Sequence, residues 1–557
     1  MSIDRRRFLS LATGAGFSAL LTGNLSAQEK EALTKQAIEA AEALAGMSFT
    51  PSERELMASG VRSQTDGYAK IRELALDNSV APAFSFQPLP TGRCPREPAD
   101  GRVAPTKLRG KNLNPTPEEL PFLSLVELGA LLRAKRISSV ELTQLYLDRI
   151  ERFDPRLSAV ITALPERALK QAREADAELA RGRDRGPLHG IPWGVKDLFA
   201  VPGYPTTWGA APFENQYLDT TAEVVRRLDD AGAVLIAKTS VGALAWGDVW
   251  FGGTTKNPWL LDQGSSGSSA GSASTVVAGL VGFAIGTETL GSIISPAQRC
   301  GATGLRPTSG RVGRSGGMAL SWTMDKVGPL CRHVEDCALV LAAVAGHDPG
   351  DPGSLDAPFG WDADAPTRSL RVGVDRESLE QASDDERAAL DDALHGFQQL
   401  GFTLKDVTLP SLPIGEMLVI LTVEAAAAFD ELTTSGRDDL LVRQVEQAWP
   451  NVFRTARMVP AVEYVQAQRA RRVLMEQYEQ ALADVDVYVH STYGGRTLTA
   501  ANLTGHPTLC MPNGFRENGT PRSVSLTSRL LGEHDLLRVG KDWQDATGHH
   551  RKHPPLV

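Results

Sequence analysis

Between Gly264 and Pro296 the chain reads GSSGSSAGSASTVVAGLVGFAIGTETLGSIISP, two loops of small residues flanking an apolar run. The first loop centres on Ser268 and Ser269, and the second runs from Gly286 to Ser292. Small residues let backbone approach backbone and leave amide N–H groups uncovered. An uncovered row of N–H groups beside a hydroxyl is what acyl transfer requires: a nucleophile, with donors for the oxyanion that develops as it attacks. A serine hydroxyl is a weak nucleophile and needs a base. Lys196, in the apolar and glycine-punctuated segment GIPWGVKD (190–197), is the candidate, because desolvation lowers a lysine pKa and frees the amine to accept a proton. From residue types alone this remains a suggestion. Gly/Ser loops are commonly only loops, and a lysine after a buried run is commonly a strand-end charge.

Other chemistries are excluded or weakened by the same reading. No HExxH occurs, and neither Gly110-Lys111 nor Gly540-Lys541 is followed by the Ser or Thr of a phosphate loop. The ten histidines show no close pairing at ligand spacing inside an element, so no metal site is expected. A GxSxG pattern occurs at 267–271 and at 313–317, but the residues before each make poor strands, which a nucleophile elbow needs. Cys94, Cys300, Cys331, Cys337 and Cys510 are scattered and read as buried free thiols, not a disulfide framework.

The elements that must position these groups follow from the wider pattern. The 557 residues are 42% hydrophobic and 22% charged, ample for a large core. A net charge of −9 disfavours a general nucleic-acid or anionic-membrane binder, and no uninterrupted apolar run of about 18 residues is present to span a membrane. Leu125–Phe153 reads as helical. GAVLIAKT (232–239), STVVAGLVGFAIG (274–286), LRVGV (370–374) and VDVYVH (485–490) read as buried strand or helix segments between turns. This alternation predicts an α/β body with a helix-covered sheet.

The N-terminus reads differently. Arg5, Arg6 and Arg7 precede Phe8-Leu9, then a weakly apolar stretch to about Leu21 and a small-residue cleavage site at Leu25-Ser26-Ala27. This resembles a bacterial twin-arginine export signal over residues 1–27, and predicts a mature chain starting near Gln28 in the periplasm or outside the cell. Residues 28–79 read as helical, with a capping box at Thr50-Pro51-Ser52-Glu53. Nine prolines between Pro82 and Pro121 predict an extended strap or linker. The expected organisation is a signal at 1–27, a helical extension and proline-rich linker at 28–121, and one large domain at 122–557.

From about Leu123 to Trp543 the chain closely resembles the amidase signature family. The resemblance is carried, in order, by GPLHGIPWGVKDLF (186–199), GAVLIAKTS (232–240), TKNPW (255–259), SSGSSAGSAS (265–274), GTETLGSI (286–293), CGATGLRPTSGRV (300–312) and DKVGPLCRHVEDCALVLAAVAG (325–346). It implies a single α/β/α domain with a mixed sheet of about eleven strands, and a Ser–cis-Ser–Lys catalytic unit. Lys196 matches the lysine of the family's GVKD motif. Ser268 matches a bridging serine on a cis peptide, and Ser292, 24 positions on, matches the nucleophile. The implied mechanism passes a proton from Ser292 through Ser268 to neutral Lys196. Backbone N–H groups from Thr289, Leu290, Gly291 and Ser292 hold the oxyanion, and water then cleaves the acyl-enzyme.

The resemblance implies hydrolysis of a carboxamide in a small-molecule substrate, with esterase side-activity allowed, no cofactor and no nucleic-acid partner; a homodimer is compatible. The alternative is a glutaminase-type subunit delivering ammonia to a partner. The chain departs from the family pattern at Glu288 (commonly Asp), Leu290 (Gly) and Ile294 (Arg). These changes keep the backbone donors, predict loss of the supporting charged residues, and argue against a close match to tRNA-dependent amidotransferase subunits. Trp193, Trp208, Trp246, Trp250, Trp259 and Trp322 fall in or near the motifs, where core packing is the first reading and an aromatic-lined pocket the second.

Overall fold

The computed structural model describes residues 27–74, 76–80, 82–89, 101–108, 113–492 and 496–555. The twin-arginine segment before Ala27 and Cys94 lie outside these residues. The chain divides into two compact units, one comprising the residues up to Val80 with Met458–Glu463, the other Ala81–Arg457 with Tyr464–Val557.

In the first unit, helices Ala27–Ala45 and Pro51–Arg72 follow one another. The second opens on the capping box: the Thr50 N–H donates to Glu53 Oε2 (2.6 Å) and the Glu53 N–H to Thr50 Oγ1 (3.3 Å). Arg54 joins the two helices through a 2.7 Å pair with Glu42.

The second unit is built on an eleven-stranded mixed sheet. In chain order its strands are β1 (Val160–Ala163), β2 (Pro192–Lys196), β3 (Val234–Thr239), β4 (Phe283–Glu288), β5 (Thr303–Arg306), β6 (Lys326–Cys331), β7 (Val372–Asp375), β8 (Leu404–Val407), β9 (Val487–His490), β10 (Thr508–Phe515) and β11 (Pro521–Ser528). Their spatial order is β8-β7-β9-β11-β10-β5-β6-β4-β2-β3-β1. Both faces are covered. Along β10, Cys510 packs with Ala273, Ile293 and Cys300, whereas its neighbours Leu509 and Met511 join the larger core with Val334, Leu341 and Trp543. Successive strand residues point to opposite faces, so each face carries its own apolar layer. This is the α/β/α architecture expected from the resemblance.

The proline-rich stretch divides from the helices at Val80, and its described part belongs with the sheet unit. Val103–Ala104 pairs in parallel with Trp361–Asp362, and Thr106 donates through its N–H and Oγ1 to the Glu335 carboxylate, each at 2.7 Å. An extended, donor-poor segment thus packs by side-chain and edge contacts.

The apolar run 274–286 splits in two. Its first part closes the helix Ala270–Val277, a turn with Gly279 at φ 65° follows, and β4 completes it. The result matters because β2 and β4 are parallel neighbours, with Val195 opposite Ile285. Their C-terminal ends, Lys196 and Glu288, therefore open on the same edge of the sheet, the edge where α/β proteins place their ligands.

Candidate active site

Every residue of β2 is buried, and Lys196 at its end is fully so. Burial pushes the Lys196 ammonium down to about 7, against the opposing pull of Asp325 and Glu288. The amine is thus poised between its two forms near neutral pH. Its Nζ lies 2.8 Å from Ser268 Oγ, 3.1 Å from Ser269 Oγ and 2.8 Å from Thr287 Oγ1. The Gly267–Ser268 peptide bond is cis.

The two serines are not equivalent. Ser269 Oγ donates its proton to the Thr287 carbonyl (3.0 Å) and accepts the Thr287 N–H (3.2 Å). A carbonyl only accepts, so the Ser269 proton is committed and Ser269 can only receive from Lys196. Among the described residues Ser268 Oγ has no such carbonyl, and its proton is free to point at a neutral lysine. Gly286 makes this close arrangement feasible, since a Cβ there would come within 2.6 Å of Ser269 Oγ.

Past β4 the chain turns through Thr289, Leu290, Gly291 and Ser292. Among the described residues no acceptor takes the N–H groups of these four. The next two N–H groups, of Ile293 and Ile294, are both taken by Glu288 Oε2, at 2.8 and 2.9 Å. The turn is pinned from below while its preceding amides stay available as anion donors. The Ser292 carbonyl accepts from the Ser269 N–H at 3.0 Å, tying the two loops together. Ser292 is 8% exposed, against 1% for Ser268 and 0% for Lys196, so accessibility increases along the row toward Ser292.

Glu288 is itself held by Arg306 (2.6 Å) and Asn502 Nδ2 (2.9 Å), both to Oε1. Burial opposes its ionisation, but Arg306, the Ile294 N–H and Lys326 outweigh burial and hold the carboxyl at about 2. The expected loss of charged support is corrected here. The cation at this position comes from Arg306 on β5 and not from the residue after Ser-Ile, so Ile294 removes no necessary partner. On the other side, Thr289 Oγ1 donates to Asp325 at 2.6 Å, and Asp325 also accepts the N–H groups of Leu320 (2.8 Å) and Ser321 (3.0 Å).

The structure brings Lys196, Ser268 and Ser269 into one hydrogen-bonded cluster and ties Ser292 to it through its backbone. The sequence pattern offers Ser269 only as the serine of the first GxSxG and does not single out Thr287 or Asp325 for a role, although both lie within quoted motifs. The second GxSxG serine, Ser315, donates to Asp348 at 2.7 Å and is not a partner of Lys196. Leu260–Gly264, read as a poor strand, does form one, in a two-stranded ribbon with Lys256–Asn257 instead of in the main sheet. The tryptophans divide: Trp193 is fully buried and stacks on Phe283 at 5.7 Å, whereas Trp246 is half-buried. Cys300, Cys331, Cys337 and Cys510 are free and buried. Among the described residues no three His, Cys, Asp or Glu side chains gather in a way that could hold a metal ion, and no helix is long and apolar enough to cross a membrane.

The amidase family model matches residues 141–500. A glutamyl-tRNA(Gln) amidotransferase subunit from Dechloromonas aromatica is 34% identical over 479 residues, covering 77% of this chain and 98% of the relative. Its counterpart from Pseudomonas syringae pv. syringae is 36% identical over 480 residues, covering 78% and 99%. Native peptide amidase from Stenotrophomonas maltophilia superposes with a TM-score of 0.68 at 29% identity, over 78% of this chain and 99% of that one. A protein from a vestigial complex, described with the origins of an s-triazine catabolic enzyme, reaches a TM-score of 0.71 at 28% identity, over 77% and 100%. The chain belongs to the amidase family. The distance expected from the amidotransferase subunits is not found: at 34–36% identity they are clear relatives.

Proposed function

We propose that the protein hydrolyses the C–N bond of a carboxamide through Ser292, Ser268 and Lys196, by way of an acyl-enzyme. The observation that carries this reading is the buried Lys196 amine, brought to about 7, 2.8 Å from the one neighbouring serine whose proton is uncommitted. Neutral Lys196 accepts the Ser268 proton as Ser268 takes the proton of Ser292, and the Ser292 oxygen attacks the amide carbon. The carbonyl oxygen becomes an oxyanion facing the free N–H groups of the Thr289–Ser292 turn. The proton returns through Ser268 to the leaving nitrogen, which departs as ammonia or an amine. Water, deprotonated along the same path, then attacks the ester carbon, releases the carboxylic acid and restores Ser292. The test is a release assay on the purified chain against a panel of primary and substituted amides, detecting ammonia and amines separately.

A second reading, a glutaminase-type subunit feeding ammonia to a partner, is favoured by the names of the amidotransferase relatives. The two separate on one result. A free-standing amidase turns over amides alone at full rate, whereas an ammonia donor is stimulated by its partner and acceptor.

We further propose that the chain is exported through its N-terminal twin-arginine segment and works outside the cytoplasm. Arg5-Arg6-Arg7 before Phe8-Leu9, with Leu25-Ser26-Ala27 behind, supports this. Such a location would separate the protein from tRNA and favours the first reading.

A further inference from the structure

Lys326 is a buried lysine that the mechanism above does not use. It opens β6 opposite Glu288, the last residue of β4, and opposite residues of an antiparallel pair share a face, so both side chains leave the sheet together. Lys326 is 2% exposed. Its Nζ donates to three backbone carbonyls, those of Met324, Thr289 (3.4 Å) and Asn502 (3.5 Å). Burial and the Arg306 and Arg471 cations push the ammonium down, while Glu288 and Asp325 hold it up. The acceptors favour the charged form: an ammonium has three N–H donors for three carbonyls, whereas a neutral amine would turn its lone pair on one of them.

Balancing Glu288 does not account for this cation, because Arg306 and Asn502 already hold that carboxylate. What Lys326 adds falls on Thr289. Two consecutive residues grip it, since the Thr289 hydroxyl donates to Asp325 at 2.6 Å and the Thr289 carbonyl accepts from Lys326. In a trans peptide the carbonyl and the following N–H point in opposite directions. The Lys326 ammonium, the Thr289 carbonyl and the Leu290 N–H therefore lie in series, and the Leu290 N–H is one of the free donors of the oxyanion turn. A hydrogen bond accepted by a carbonyl polarises its peptide group and strengthens the donor at the other end.

We propose that Lys326 is a positioning residue for the oxyanion turn: its ammonium fixes the Thr289–Leu290 peptide and strengthens the Leu290 N–H as a donor to the oxyanion. The proposal rests on the amidase reading above and adds to it a fixed charge that acts on the transition state through one peptide group.

The experiment uses the full chain and three compounds that share one acyl chain, that of the amide turned over fastest in the release assay. They are the amide itself, the ketone in which a trifluoromethyl group replaces the nitrogen, and the alcohol obtained by reducing that ketone. The Ser292 oxygen adds to the ketone carbon while its proton passes through Ser268 to Lys196, which leaves an alkoxide on the oxyanion donors. The alcohol binds without reacting. Lys326→Gln keeps a donor without the charge, Lys326→Met keeps neither, and circular dichroism establishes folding. Each variant is expected to lower kcat about tenfold, less than the loss of about 10²–10³ for removing an oxyanion donor outright, with KM within about twofold of the wild type. The inhibition constant of the ketone should rise by the factor by which kcat falls, and that of the alcohol should stay. Full kcat in either folded variant overturns the proposal. So does a ketone that weakens no more than the alcohol, the mark of a residue that only braces the loop. A wild type that turns over no amide of the panel overturns the amidase reading and the proposal with it.

Discussion

Lys196 Nζ lies within hydrogen-bond distance of both Ser268 and Ser269, yet only Ser268 retains a proton it can give, because Ser269 Oγ donates to the Thr287 carbonyl. On the proposed mechanism the Lys196–Ser268 contact is the route for a proton and the Lys196–Ser269 contact is a tether. The distinction is chemical and can be tested by substitution.

Ser268→Ala should lower kcat by about 10²–10⁴-fold, the usual worth of a positioned proton-transfer group. Ser269→Ala removes one hydrogen bond that orients Lys196 and should cost about tenfold. Steady-state kinetics on both variants, with circular dichroism to establish folding, checks the order. A larger loss in Ser269→Ala would reverse the assignment.

The pH profile follows from the buried amine. Lys196 acts as a base only when neutral and its ammonium is brought down to about 7, so kcat/KM should rise with pH through that value and level off above it. The rising limb should vanish with the activity in Lys196→Ala. A limb that falls across neutral pH would contradict the neutral-lysine role.

Glu288 should carry stability as well as loop geometry. It is fully buried and paired with Arg306, so Glu288→Gln leaves a buried cation unmatched and should cost about 3 kcal/mol at neutral pH. The folded carboxyl is held at about 2 against an ordinary value of 4.5. Its stabilisation is present in full above the ordinary value and is lost as pH falls through the folded one. Urea denaturation across that range should show the variant and the wild type converging as pH drops.

Export gives an independent prediction. Arg5→Lys combined with Arg6→Lys should hold the protein in the cytoplasm of a host with a twin-arginine pathway. Fractionation that recovers processed protein from the periplasm in equal amount would remove the localisation proposal.

The sequence displayed the site's chemistry better than its wiring. Small residues mark the two loops and the segment of Lys196 as uncovered backbone, the resemblance to the amidase family is what picks Ser268 and Ser292 out of those loops, and β3, β7 and β9 stand out as short apolar runs between turns. The run 274–286 stayed open between helix and strand because a segment buried on all sides has no periodic signal; the turn at Gly279 is what divides it. The Glu288–Arg306–Asn502 cluster joins β4, β5 and a helix more than 200 positions on, and no local pattern announces such a meeting. The roles of Ser268 and Ser269 depend on where the Thr287 carbonyl points, which is a property of β4 in its sheet.

Ser292 as the nucleophile is the claim on which the rest stands, and a serine-directed fluorophosphonate tests it most directly. The account predicts stoichiometric labelling of Ser292 in the wild type, located by peptide mass spectrometry, and no labelling in a folded Ser292→Ala variant. Labelling at Ser269 or Ser315, or undiminished labelling of Ser292→Ala, would contradict it.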